Sequence, residues 1–444
     1  MPRLSIFIAV VVGFLSLRAS ADQPHITLRV CTFNIEDVRT SDLKDGNQPR
    51  LKALAAIIQT IQPDILFLNE IAYDQPGAPD VPAGQTPGQN AQKFADLYLA
   101  VPQRVGLVAL KFKAFMAPSN TGIASNLDLD NDGVITTTFP TPPASDVRGV
   151  ASAQTAEGRA YGNDCFGFGT FPGQYAMALL VSDRFTIDTD QVRTFQNYKW
   201  SSLPDAMRPP AKTTKTKKPD ANPDTTSAID ASWYSDAEWS TLRLSSKSHW
   251  DVPVNLPSGE TIHILCSHPT PPAFDGPEGR NKRRNHDEIR FWRDYIDPAR
   301  PVVIVDDKNI AGPLAIDAPF IIVGDLNADP ERGSSINNPI ATHLLSSARL
   351  TKAPAPIASR EVQGLRSTDT SAFKLRVDYV LPSRPFDVSR SFIHRDGFEI
   401  EVDDKGRISS WPSDHYPVVA DLVLPIASPS ANPPAKPQTT GFPK

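Results

Sequence analysis

Phe320-Ile321-Ile322-Val323-Gly324-Asp325-Leu326-Asn327-Ala328-Asp329-Pro330 is the stretch on which the reading of this chain turns. Residues 320–323 have the composition of a strand buried on both faces, and Gly324 lets the backbone turn with no Cβ in the way. Asp325 and Asn327 then stand at the strand's carboxyl end, two residues apart, so in extended backbone both side chains point to the same side. A carboxylate and an amide facing one spot can hold and deprotonate a water. Gly-Asp-x-Asn also makes an ordinary Asx-turn after a strand, so this stretch alone leaves both readings open.

Outward from it, strands alternate with helices. Residues 25–35 are strand-like, and residues 49–61 put Leu51, Leu54, Ala55, Ile58 and Ile61 on one helical face before a further strand at 64–70. A Pro/Gly-rich loop at 74–88 precedes a helix at 89–99. Strands are expected at 111–116, 174–181, 239–246, 252–256 and 261–267. The last two flank Pro257-Ser258-Gly259, which reads as a hairpin turn. Residues 282–296 read as a helix with Ile289, Trp292 and Ile296 inward. Arg283 and Arg290 share another face of it, read as solvated or as a phosphate contact.

Composition bounds the rest. With 444 residues, 40% of them apolar and 21% charged, the chain can bury a large core, as one domain or two. Residues 1–21 carry Arg3, an apolar run and Ala19-Ser20-Ala21, the pattern of a cleaved export signal, which predicts a periplasmic or secreted protein beginning near Asp22. Losing Arg3 and Arg18 reduces the 45 basic residues by two against an unchanged 50 acidic ones, for a net charge of −7. No global basic field draws in nucleic acid, so any polyanion must be bound locally. Three cysteines, Cys31, Cys165 and Cys266, allow at most one disulfide, and a buried free thiol is as natural a state for those in core strands. Residues 203–228 hold prolines and the cluster Lys212, Lys215, Lys217 and Lys218, read as a surface excursion. Residues 425–444 read as a disordered Pro-rich tail, leaving 22–424 as the folded part.

Chemistry gathers at strand ends. Asn34 and Glu36 close the first strand and Glu70 the second, where a buried acid is costly unless paired or bound to a cation. His268 follows the strand at 261–267 and is turned sharply by Pro269 and Pro271. Asp378 interrupts the apolar run Val377 to Leu381, and Asp414-His415 precedes the last strand. Each of these ends offers a metal ligand or a base.

Taken together, TFNIE, LNE, SHP, GDLNADP, RVDYVL and SDHYPV, in this order, resemble the endonuclease/exonuclease/phosphatase superfamily with its deoxyribonuclease I-like fold. The resemblance runs from about Arg29 to Leu424 and departs from the family at Ser267-His268-Pro269, where Thr-His-Leu is frequent. It implies an α/β (α+β) four-layer sandwich, two mixed sheets face to face with helices outside, and a metal-dependent phosphodiesterase or phosphatase. Glu70 and Asp414, with Asn34 or Glu36, are then expected to hold Mg²⁺ or Mn²⁺ through oxygen ligands. Asp325 would orient or deprotonate the attacking water, and Asn327 would hold it in line with the phosphoryl group. His415, charged by Asp378, would donate to a phosphate oxygen, and His268 would act from the other side. The substrate is a phosphoester, with nucleic acid (a nuclease), phospholipid (sphingomyelinase-like) and small phosphoesters as the open choices. A catalytically silent binding module on the same fold is the competing class, and it requires loss of motif residues that are all present here.

Asp128-Leu129-Asp130-Asn131-Asp132-Gly133 begins like a calcium loop, but its twelfth position is Phe139 and not Glu. A structural Ca²⁺ on Asp128, Asp130 and Asp132 and an uncomplexed acidic turn are the two readings.

Overall fold

Apolar side chains on both faces of a strand require a layer on either side, and the strands of this protein meet that demand with two stacked sheets between helices. The computed structural model describes residues 24–211, 232–300 and 302–426. The expected export signal, the lysine cluster at 212–218 and the tail beyond residue 426 lie outside the described residues. In chain order the strands are β1 (His25–Val38), β2 (Ile65–Ile71), β3 (Phe112–Phe115), β4 (Met177–Ser182), β5 (Thr186–Ile187), β6 (Arg193–Thr194), β7 (His249–Asn255) and β8 (Thr261–Ser267). They continue with β9 (Phe320–Asp325), β10 (Ile357–Ala358), β11 (Asp378–Pro382), β12 (Asp387–Ile393), β13 (Glu399–Val402), β14 (Ile408–Trp411) and β15 (Val418–Pro425). The α-helices are α1 (Pro49–Ile61), α2 (Asn90–Phe94), α3 (Ala156–Asn163), α4 (Asp236–Thr241) and α5 (Arg280–Ile296).

One sheet runs β10-β12-β15-β1-β2-β4-β3; the other runs β11-β9-β8-β7-β5, with β6 also on β7. Both are mixed: β1 pairs parallel with β2, and β8 with β9, among antiparallel neighbours. Period-two alternation assigns the layers. Val30, Ile65, Phe67, Ile264, Ile321 and Val323 share the core between the sheets. Their strand neighbours Cys31, Phe33, Leu66 and Leu68 pack toward α1 and α2, while Leu265, Phe320 and Ile322 pack toward Ile289 and Trp292 of α5. Helix, sheet, sheet, helix is the four-layer order that the sequence leads one to expect. The parity that puts Val30, Phe67 and Val323 between the sheets also carries Asn34, Asn69 and Asp325 there, at the carboxyl ends of β1, β2 and β9.

Gly324 is required by this packing. A Cβ there would stand 2.0 Å from the carbonyl oxygen of Ser267, and the residue has φ +146°. No side chain can occupy the place where β8 and β9 end together.

Four expectations are corrected. Residues 239–246 are not a strand: Ser235 and Glu238 form a capping box that starts α4, and local capping outweighs the β-branched and aromatic composition. The helix expected at 89–99 is α2 followed by a wider turn at Ala95–Leu99. Arg290 is not solvated, since it is buried against Asp287 at 3.2 Å and donates to the Pro204 carbonyl. Leu203, placed at the start of a surface excursion, is buried in the core beside α5. All three cysteines are buried free thiols.

Candidate active site

The ends of β1, β2 and β9 leave regular strand geometry just where the polar residues begin. Glu36 and Asp37 have φ of 52° and 46°, Glu70 has 67° and Asn327 has 53°, conformations that cost side-chain-bearing residues about a kcal/mol or more each and gather at functional sites. Asn34 and Glu36 therefore do not simply share one side of an extended strand. The β1 register shifts between Asn34 and Val38, and Glu36 folds back so that its N–H donates to Asn34 Oδ1 at 3.0 Å. Asn327 likewise is not in extended backbone. Its N–H closes an Asx-turn on Asp325 Oδ1 at 2.9 Å, and its amide nitrogen donates to the Pro269 carbonyl. The Asx-turn reading of Gly-Asp-x-Asn is the one the backbone shows.

Three donors from three other segments converge on one oxygen, Asp325 Oδ2. Asn34 Nδ2 donates to it at 3.1 Å, His268 Nε2 lies at 3.4 Å and His415 Nε2 at 3.7 Å. Asn34 Nδ2 also donates to Glu70 Oε1 at 3.1 Å, joining the ends of β1, β2 and β9. The Asp325 N–H is held by Asn69 Oδ1 at 3.1 Å. Asp378 faces Asp325 in the β9–β11 register, and its Oδ2 lies 2.9 Å from His415 Nδ1. Asp378 and His415 are buried, while Asp414 is half exposed, with its side chain 45% accessible.

Electrostatics divides these groups. Burial works against the Asp325 carboxylate, yet the His415 imidazolium and the His268 hydrogen bond outweigh it and bring Asp325 down to about 2. Burial also opposes charge on His415, but Asp378, Asp325 and Asp414 raise its pKa well above the ordinary value. His268 goes the other way, to about 4, because burial and the nearby Lys247 both disfavour its charge; at neutral pH it is a neutral ring. Burial and repulsion by Asp414 push both Glu36 and Glu70 up to about 7.

Asp414 thus repels Glu36 and Glu70 despite the donors these two meet: Glu70 accepts from Asn34 Nδ2 and the Asp37 N–H, and Glu36 from the Asp414 N–H. An all-oxygen set of this kind fits a hard divalent cation. Asn34 can join only through Oδ1, which already accepts from Glu36, so its larger visible task is to orient Glu70 and Asp325. Atoms of Asp325, Asp378 and His415 lie within 4.8 Å of one another, with the imidazole bridging the two carboxylates; Glu36, Glu70 and Asp414 are not drawn together that closely.

The acidic loop is arranged differently. Its cluster is Asp128, Asp130 and Asp164, not Asp132, whose carboxylate is taken by the Val134 N–H. Asp128 accepts from Asp132 and Gly133, and Asp164 from Leu129 and Thr136.

Sequence reasoning missed Lys247, which is buried just before β7. It lines, with Glu70 and His268, a cleft of about 600 Å³. A charged residue leading into the strand His249–Asn255 was the available signal; the expected strand at 239–246 obscured it.

With this geometry in view, the sequence profile of the Endonuclease/Exonuclease/phosphatase family matches residues 31–415, from the middle of β1 to His415. The chain belongs to the endonuclease/exonuclease/phosphatase family. Members are phosphoester hydrolases that usually use divalent metals. No curated protein matches this endonuclease/exonuclease/phosphatase chain. Among solved structures it is similar to an endonuclease/exonuclease/phosphatase from Beutenbergia cavernae, at 17% identity and a TM-score of 0.43, covering 89% of this chain and 71% of that one. It is also similar to a mannosyl-6-phosphatase from Bacteroides thetaiotaomicron (12%, 0.40, covering 89% and 100%) and a sphingomyelinase C from Streptomyces griseocarneus (15%, 0.40, covering 89% and 99%).

Proposed function

We propose that this chain is an exported, metal-dependent phosphodiesterase in which water attacks phosphorus directly. The observation that carries the reading is the convergence of Asn34, His268 and His415 on Asp325 Oδ2, beside the carboxylates Glu36, Glu70 and Asp414. Glu70 and Asp414, with Glu36 and the Asn34 amide, would hold Mg²⁺ or Mn²⁺, which when bound neutralises charge on the phosphate oxygens. Asp325 stays ionised at any working pH, so it is always available to orient the attacking water and receive its proton. Its low basicity makes orientation the larger part of that task. Asn327 holds water and phosphoryl group in line. His415 donates from Nε2 to a non-bridging oxygen, and Asp378 on Nδ1 fixes its tautomer and keeps it charged. His268 contributes a neutral N–H from the other side, a hydrogen-bond donor and not the charged acid to a leaving group.

Nucleic acids and phospholipids both present the diester. A hydrolase of small phosphoesters is the second reading, favoured by the cleft that opens beside Glu70 and His268. The test is to offer the mature protein DNA, RNA, sphingomyelin, phosphoinositides and bis-p-nitrophenyl phosphate, with Mg²⁺ or with chelator. Metal-dependent hydrolysis of at least one diester is expected; inertness toward all of them in any divalent metal would refute the reading. Export is tested by the amino terminus of the recovered protein, expected near Asp22; an intact Met1 on cytosolic protein would refute it.

A further inference from the structure

Deepening the phosphoesterase reading on which it rests, we propose that the cleft beside Glu70 and His268 receives a second phosphate of a small phosphoester substrate, and that Lys247 binds it. Lys247 is 6% exposed, and its ammonium has no hydrogen bond or ion pair among the described residues. The ammonium is not sealed off from the cleft, so an anion entering the cleft can reach it. Burial pulls its pKa below the ordinary value, and the carboxylates that oppose this, Glu288, Glu70 and Asp325, are already engaged. The two oxygens of Glu288 accept the Ser246 and Thr270 N–H groups at 2.6 Å each. Glu70 and Asp325 share the Asn34 amide.

The cleft repeats the message on a larger scale. Although the chain is acidic overall, the described cleft walls carry Arg159, Arg284 and Arg280, the last paired with Glu278 at 3.8 Å, besides Lys247, against Glu70 as their one carboxylate. The hydrogen bonds of Arg159 and Arg284 go to backbone carbonyls, which orient the guanidinium groups without neutralising them. A wall of this sign concentrates anions. The scissile phosphate already has Asn327, His268 and His415 assigned to it, so the anion that completes Lys247 is a further one.

Shape selects a small molecule. About 600 Å³ is the size of a site for one ligand with a ring system, and buried Trp200, Tyr234 and Leu242 on the walls show that the cleft runs into the fold. Phe168, Tyr175 and Phe274 offer faces against which a ring can stack, with Phe274 at the mouth 90% exposed.

Two thymidine probes test this on the metal-loaded full protein: the p-nitrophenyl ester of thymidine 5′-phosphate, and the same ester carrying a 3′-phosphate. Wild type is expected to favour the doubly phosphorylated ester at least tenfold in kcat/KM, through KM. In Lys247→Met that ratio should fall to near one, and in Lys247→Arg it should persist. A wild-type ratio near one would overturn the proposal while leaving the phosphoesterase reading intact. Binding of thymidine 3′,5′-bisphosphate in the Asp325→Asn background, measured by calorimetry, gives a readout that hydrolysis does not disturb. It should weaken at least tenfold in Lys247→Met, and an unchanged Kd would overturn the proposal even in a protein that hydrolyses nothing. Single-stranded DNA is the third arm. Cleavage of it that depends on Lys247 as strongly as the bisphosphate does would overturn the small-molecule assignment and give the site to a neighbouring backbone phosphate.

Discussion

Two acidic clusters in this protein both accept backbone N–H groups and differ in how far burial and repulsion override those donors. In the loop around Asp128, carboxylates close on backbone N–H groups of their own turn and its neighbours: Asp128 on Asp132 and Gly133, Asp164 on Leu129 and Thr136. At the ends of β1, β2 and β15, Glu70 and Glu36 accept the Asp37 and Asp414 N–H groups as well, yet burial with repulsion by Asp414 lifts both to about 7. The difference teaches that charge left uncompensated by the fold, not the number of acids, marks where a cation and a phosphate belong.

The sharpest way to break this comparison is to neutralise the carboxylate beside the strand-end cluster, Asp325, and one in the loop. Asp325→Asn should lower turnover on a diester by roughly 10³-fold or more with thermal unfolding little changed, because what is lost matters chiefly in the transition state. Asp128→Asn should leave turnover within about twofold. Comparable losses in both variants, or none in Asp325→Asn, would erase the distinction.

Next in size is the backbone that brings the strand ends together. Gly324→Ala places a methyl group 2.0 Å from the Ser267 carbonyl oxygen, and β8 and β9 must part to admit it. A loss of about 2–4 kcal/mol in denaturant unfolding is expected, and an unaffected midpoint would mean that the strands are not held this closely.

A smaller effect concerns Asp378, the positioning partner of His415. Asp378→Asn removes one of the carboxylates that raise the His415 pKa, so the ring should lose its proton at lower pH than in wild type. Turnover should drop about 10–100-fold near neutral pH, and the deficit should grow as pH rises. Combined with His415→Ala, the change should add little to the His415→Ala loss, since the two act as a unit. Additive losses would separate them.

The smallest expected effect is on stability without metal. Glu36 and Glu70 bind a proton more tightly folded than unfolded, because about 7 lies above the ordinary value near 4.3. Their contribution is therefore full below about pH 4.5 and lost as pH rises through about 7. In chelator, thermal unfolding should move to lower temperature across that window relative to protein with Mg²⁺. A parallel pH dependence in both conditions would contradict the assignment of these groups as ligands.

How much of this was legible beforehand follows from which interactions are local. Strand and helix positions came from periodicity, so α1 and β8 were read to the residue, as was the far end of α5. The layers followed from apolar runs such as Phe320 to Val323. The strand-end residues were visible because polar side chains interrupt those runs at Asn34, Glu70, Asp325 and Asp378. Left-handed backbone at Glu36, Glu70 and Asn327 was not visible, since only tertiary contacts make such conformations tolerable. Asp164 in the loop cluster and Lys247 in the cleft were missed for a related reason: each meets its neighbours across long sequence separations that no local pattern encodes.

The central claim is that the carboxylates at the strand ends exist to hold a cation on which hydrolysis depends. It is tested most directly by measuring turnover of bis-p-nitrophenyl phosphate by protein stripped with excess chelator, with elemental analysis of bound metal, before and after adding Mg²⁺ or Mn²⁺. The stripped protein should be inactive and recover on metal addition, and Glu70→Gln should weaken that recovery. Full turnover by protein that contains no metal would contradict the account.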